Sequence, residues 1–325
     1  MNRPDQARID LFAANGQRLK GCFFWHSDIF KRLAALLYAA DNRIVDCEKI
    51  KDGLQLVKAG TGLFSALRGQ TALVLAAKLA KHPEPHQLLA STRRAYDELR
   101  SCRFGASDYL AVAASQIADR TRPETIGQAA ERTRAFYDGL KARHFFLTGA
   151  DDIIHTAMLA LSETGIETGL ERVETLYAGL KPYFHSPNAV LALAQVLALG
   201  GDRPDVVSRV LKLRDTLRAY GLKLDQAGTL AALGILALLP ADETALAGQV
   251  RAAYDDLRSR KGFSGWSVTR PERLLLAVSL AALDDNEADG AWAPTLATRL
   301  IDIILAQQTA IAVTVAVTAA TSSSS

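Results

Sequence analysis

AYDELRS at 95–101 returns as FYDGLKA at 136–142, LYAGLKP at 176–182, LRDTLRA at 213–219 and AYDDLRS at 253–259. The leucines of these phrases, Leu99, Leu140, Leu180, Leu217 and Leu257, stand 41, 40, 37 and 40 residues apart. Counting back three, seven and ten residues from Leu180 reaches Tyr177, Val173 and Leu170. The same count from Leu257 gives Tyr254, Val250 and Ala247, and from Leu99 it gives Tyr96, Thr92 and Leu89. Such offsets put four side chains on one face of a helix with 3.6 residues per turn. Arg214 takes the tyrosine position in the fourth phrase. These segments are termed B helices.

Outward from each B helix lies a second, more apolar kind of segment. TALVLAAKLA, SDYLAVAASQIA, DDIIHTAMLALS, NAVLALAQVLAL and TLAALGILALL precede the five phrases, and RPERLLLAVSLAAL follows the last. They are apolar almost all round, as a helix enclosed by neighbours is. These are the A helices. Alanines near their middles (Ala76, Ala113, Ala157, Ala194, Ala231, Ala277) permit close stacking. Turns from A to B carry Pro, Gly and acids, as in KHPEP, DRTRPET and GGDRPDV, the composition of a helix start. Ser107, Asp151 and Asp225 are the expected N-caps of three A helices.

The spacing predicts an all-α protein of tandem helix hairpins of about 40 residues, in the HEAT-like range. An open α-α superhelix is the arrangement expected, with a closed α/α ring as the alternative. Residues 1–62 read as an N-terminal helical cap, 63–306 as five to six hairpins, and 307–325 as an apolar to Ser-rich tail that frays, all within one structural domain.

The chain resembles the bacterial domain-of-unknown-function 4003 family. The resemblance is carried by FFWHSDIFKRLAALLYAA at 23–40, FSALRGQ at 64–70 and the recurrent tyrosine–leucine helices. It implies a helical bacterial protein and supplies no activity or catalytic residue.

Composition narrows the classes further. Of the 325 residues 49% are hydrophobic and 22% charged, enough for a packed interior, and a formal charge of +3 carries no strong nucleic-acid signal. Cys22, Cys47 and Cys102 show no pairing pattern, and no basic-then-apolar leader opens the chain, so a reducing, cytoplasmic setting is expected. The most apolar interior run, 227–240, is too short to span a bilayer. Phosphate loops, dinucleotide fingerprints, HExxH, GxSxG and CxxC are absent, and no cofactor is expected. Asp151 and His155, four apart, share a helix side but are too few for a metal site, so none is expected.

The remaining pattern lies in the turns from B to A. Each carries a basic residue and most an aromatic: Arg103 with Phe104, then Arg143 and His144 with Phe145, then Lys181 with Tyr183 and His185, and finally Arg260 and Lys261 with Trp266. Basic residues at helix ends complement the dipole, yet a row of them with aromatic rings also suits an acidic protein or peptide. A non-enzymatic binding or scaffold module is therefore the function expected. An enzyme on a closed toroid acting on a small molecule or glycan is the alternative, and a nucleic-acid-binding repeat is third. Because Leu180 closes the most regular B stripe, Leu180→Ala is expected to lower stability by about 2–5 kcal/mol. A melting curve unchanged from wild type would show that the phrase is not a core signature.

Overall fold

A computed structural model describes residues 6–263 and 268–288, together with Thr309, Ala312 and Val313. Among the described residues there are fourteen α-helices, three short 3-10 turns and no strand. The chain divides into two compact units, Met1–Ala13 with Gly169–Ile304 (unit 1) and Ala14–Thr168 with Leu305–Ser325 (unit 2).

Unit 2 contains the end of α1 (Gln6–Cys22), then α2 (Asp28–Ala40), α3 (Cys47–Gly60), α4 (Ala72–Lys81), α5 (Pro85–Ser101), α6 (Asp108–Arg120), α7 (Ile126–Arg143) and α8 (Asp152–Ala160). The closest packing joins α5 to α6 and α7 to α8, each B helix to the A helix after it, and α3 to α4 in the same way, so that α3 of the expected cap takes a B position and α1, ahead of α2, another. Those hairpins stack, α5 on α7 and α6 on α8. Small residues set the approach. A Cβ on Gly53 of α3 would lie 2.7 Å from the Ala76 carbonyl of α4, so this pair closes only with glycine there. Ser107 caps α6 by accepting from the Leu110 amide at 3.1 Å, as expected.

Two caps differ from expectation. Asp151 makes no cap hydrogen bond; instead the Asp152 carboxylate accepts from the Gly149 amide at 2.8 Å. Asp225 lies ahead of the helix it was expected to cap and pairs with Arg218. A further difference is the disulfide between Cys22 and Cys47, whose Cα atoms are 6.3 Å apart. Their separation of 25 residues carries no signature. Only the packing of α1 against the entry to α3 joins them, with Asn15 accepting from the Val45 amide at 2.9 Å. The expectation of unpaired cysteines is thus corrected, and it no longer supports a reducing compartment.

Unit 1 contains α9 (Ile166–Leu180) from Gly169 on, α10 (Pro187–Ala198), α11 (Val206–Ala219), α12 (Leu230–Leu238), α13 (Glu243–Ser259) and α14 (Arg270–Ala288). Here α12 packs on α10 and α11, and α13 on α14. The start of α1 completes this unit: Phe12 meets the Phe263 ring at 5.3 Å, and the buried Arg8 lies 3.6 Å from Asp284. Leu99, Leu140, Leu180, Leu217 and Leu257 are all buried in their units. Arg214, in the tyrosine position, lies over the Phe184 ring at 5.7 Å. Of the tail, Thr309, Ala312 and Val313 are helical and buried, and the rest lies outside the described residues.

Every residue of α8 and of α12 is buried, so their last carbonyls need donors from neighbours. Arg132 of α7 supplies them to Ala160, Ser162 and Thr164 at 3.0, 3.2 and 3.0 Å. Arg209 of α11 does the same for Ala237, Leu239 and Ala241 at 3.1, 2.8 and 2.5 Å. Both arginines stand eight residues before the phrase leucine of their helix. Arg209→Met should therefore cost about 2–4 kcal/mol by urea unfolding, because buried acceptors lose their partner. Lys51→Met, which removes an exposed pair with Glu48, should stay within about 0.5 kcal/mol. Equal costs for the two would refute the capping role.

Candidate functional site

In unit 2 the turns from B to A gather at one end of the stacked hairpins. The α1–α2 turn leads into α2, which packs on α4 with Lys81 at the end of α4 donating to the Leu37 carbonyl and pairing with Asp41, so the starts of α2 and α4 lie together at the other end. The next turn, α3–α4, is locked by Arg68, whose guanidinium donates to the Lys58 and Thr61 carbonyls and to the Thr61 hydroxyl. It abuts the α5–α6 turn, where the Thr71 amide and hydroxyl donate to Asp108 at 3.3 and 3.2 Å. Phe104 of that turn packs edge-on against Tyr137 of α7 at 5.2 Å, and Arg134 donates to the Arg103 carbonyl at 3.4 Å. The α7–α8 turn follows from the C-terminal end of α7. Turns 23–27, 61–71, 102–107 and 144–151 thus share an edge.

Arg103 and Arg143 both lie on that edge and are exposed. Arg103 adopts φ 66°, a left-handed conformation that turns the chain out of α5. Arg143 pairs with Glu167 and donates to the Gly139 carbonyl at 3.1 Å. His144 is half-buried, and its backbone accepts from the Thr148 hydroxyl at 2.9 Å. Phe104 is buried beneath Arg134 and Tyr137, where it anchors the turn and offers no face to a ligand.

In unit 1, Lys181, Tyr183 and His185 are exposed, with Lys181 over the Tyr177 ring at 5.7 Å. Arg260 is half-buried between Asp256 and Asp10, so its charge is already neutralised by α13 and α1. Lys261 is exposed, and Trp266 lies outside the described residues.

The structure also brings forward residues that the sequence pattern passes over. Phe24, Trp25, Leu63, Phe64 and Phe146 join Phe145 as exposed side chains of the same edge. The signal was present as adjacent rings, FFW at 23–25 and FF at 145–146, since neighbours in a turn cannot all point inward. Behind Phe64 is a cleft of about 440 Å³ lined by Leu63, Arg93, Tyr96, Asp97 and Arg100. At the opposite end a cleft of about 540 Å³ is lined by Asp52, Leu56, Leu79, His82, Pro83 and His86.

Chemistry at the A-helix histidine is limited by its setting. His155 is buried in α8, and neither ring nitrogen has a hydrogen-bond partner. Among the described residues no three His, Cys, Asp or Glu side chains gather to hold a metal ion. Burial lowers the His155 pKa from 6.5 to about 4, against the weaker opposing pull of Asp151.

Comparison with known proteins adds one match: a family model described as protein of unknown function (DUF4003) covers residues 15–310, and the chain belongs to that family. No curated protein and no solved structure matches.

The His155 setting has a pH consequence. Its folded pKa lies below the unfolded value, so the neutral ring's contribution is complete above about 6.5 and is lost as pH falls towards 4. His155→Leu should gain about 2–3 kcal/mol over wild type between pH 7 and pH 4.5, measured by urea unfolding at both values. Parallel pH profiles for the two proteins would show that His155 is not buried neutral.

Proposed function

We propose that this member of the DUF4003 family is a non-enzymatic binding module, and that the B-to-A turn edge of unit 2 takes an anionic partner. The observation that carries the reading is the make-up of that edge. Lys20, Lys58, Arg93, Arg100 and Arg103 are all exposed there, interleaved with exposed rings. Of the acids nearby, Asp28 is paired with Lys31, Asp108 accepts from Thr71 and Asp152 from the Gly149 amide, which leaves Asp97 and Asp151 exposed against these five cations. Positive potential is therefore left over on this edge.

The residue that ends α5 also contributes to the edge. Arg103 holds a left-handed backbone that glycine would adopt at less cost. Its guanidinium, which glycine lacks, is then what the position contributes. Among the described residues no helix is long and apolar enough to cross a membrane.

Immobilised poly-glutamate serves as a generic anionic probe. Lys58→Glu, Arg93→Glu and Arg103→Glu together should lower the salt needed for elution, while the melting curve stays near that of wild type, since all three side chains are exposed. A control with equal net charge, reversing the exposed Lys49, Arg122 and Arg258, should elute close to wild type. If both triple variants elute together, only net charge matters and the edge is not the binding surface.

A further inference from the structure

We propose that the turn edge of unit 2 docks on the surface of an anionic lipid bilayer, with its aromatic tips seated at the boundary of headgroups and acyl chains. The inference rests on the reading of that edge as the binding surface, and it names the partner.

Charge alone does not explain the edge. Trp25, Phe64 and Phe146 are 91%, 97% and 94% exposed, and Phe24, Leu63 and Phe145 are 76%, 74% and 63% exposed. Among the described residues of unit 2 only Ile44, in the α2–α3 connection, is a comparable exposed apolar side chain elsewhere. The turns at the other end of the same hairpins, KHPEP, DRTRPET and SETGIET, are polar. A turn in water gains nothing from presenting large rings, and contiguous exposed apolar surface marks an interaction site. Among the described residues of unit 2 the exposed apolar character is therefore concentrated on one edge, where it coincides with the exposed lysines and arginines.

The shape of the apolar groups selects the partner. Phe24 and Trp25 stand edge-to-face at 5.2 Å and 86°, and Phe145 and Phe146 at 5.3 Å and 90°. The Phe24–Trp25 and Phe145–Phe146 pairs project from separate turns as tips, and Phe64 stands at the mouth of the cleft behind it. Peptide recognition uses a groove or a strand edge that encloses side chains. A bilayer, in contrast, is a planar solvent that can receive separated rings at once, and Trp and Phe favour its interface.

The cations are placed to act with the rings. Lys20 and Lys58 stand at the ends of the helices that lead into the first two turns, and Arg93 and Arg100 line the cleft behind Phe64. Lys141 lies over the Phe145 ring at 5.6 Å. With the rings inserted, these groups lie at the level of lipid phosphates and within the screening length of an anionic leaflet. Stable anchoring takes two signals, and a ring cluster backed by a basic cluster supplies both.

The test is sedimentation of the whole protein with phosphatidylcholine vesicles, with and without roughly one-third phosphatidylserine, at about 0.1 M salt. Wild type should bind the anionic vesicles at least about tenfold better than the neutral ones. Trp25→Ser, Phe64→Ser and Phe146→Ser together should lower that binding at least about tenfold. The same variant should keep its melting curve, because the three side chains are almost wholly exposed, and should keep its retention on poly-glutamate. Equal vesicle binding by wild type and this variant would overturn the inference, since no ring would then enter lipid. Absence of vesicle binding alongside normal poly-glutamate retention would overturn it too, with the anionic-partner reading left standing. Loss of both would overturn the two together.

Discussion

A helix with no polar face must be enclosed on all sides, and its final carbonyls must still find donors. That constraint governs α8 and α12, in which every residue is buried. The amphipathic B helices answer it twice. Their leucine stripes cover the apolar surface, and from the same helices Arg132 and Arg209 reach the ends of the enclosed ones. One guanidinium can satisfy several acceptors in a fixed fork, which lysine cannot do. Close approach comes from glycine and alanine at the contacts. In unit 1 a Cβ on Gly234 of α12 would fall 2.8 Å from the end of the Leu193 side chain of α10, which would have to shift to admit it.

Enclosure has consequences away from the core. The histidine carried into α8 is kept neutral because no partner meets its ring. In unit 2 the A-to-B turns begin amphipathic helices and are polar, while the B-to-A turns each send a side chain inward, Phe23, Leu67 and Phe104 among them, and turn others outward. Phe104 serves as such an anchor beneath Arg134, and its neighbours at 24–25, 63–64 and 145–146 face outward. The outward rings and cations of this edge therefore sit on turns anchored by other side chains.

Much of this was legible before any coordinates, and for a physical reason. Periodic burial writes itself into sequence, so Leu99 to Leu257 marked the B helices and the mid-helix alanines marked the A helices. A local cap such as Ser107 is readable because its partner is three residues away. What depends on tertiary contact was not. Cys22 and Cys47 meet only through the packing of α1, and Asp225 joins Arg218 and leaves the helix start ahead of it uncapped. In the turns, residue type alone does not separate Phe104, which is buried, from Phe146, which is not. Nor does residue type show that Arg260 is held by Asp10, 250 residues away.

Amide hydrogen exchange read by mass spectrometry tests the enclosure of the A helices most directly. The account predicts that amides of α8 and α12 exchange only when the unit holding them opens as a whole, with the steepest denaturant dependence in the chain. Amides in turns 23–27, 61–66 and 144–150 should exchange from the native state with little denaturant dependence. If α8 and α12 instead exchange as early as those turns, they are not enclosed, and the arginine-capped core described here is wrong.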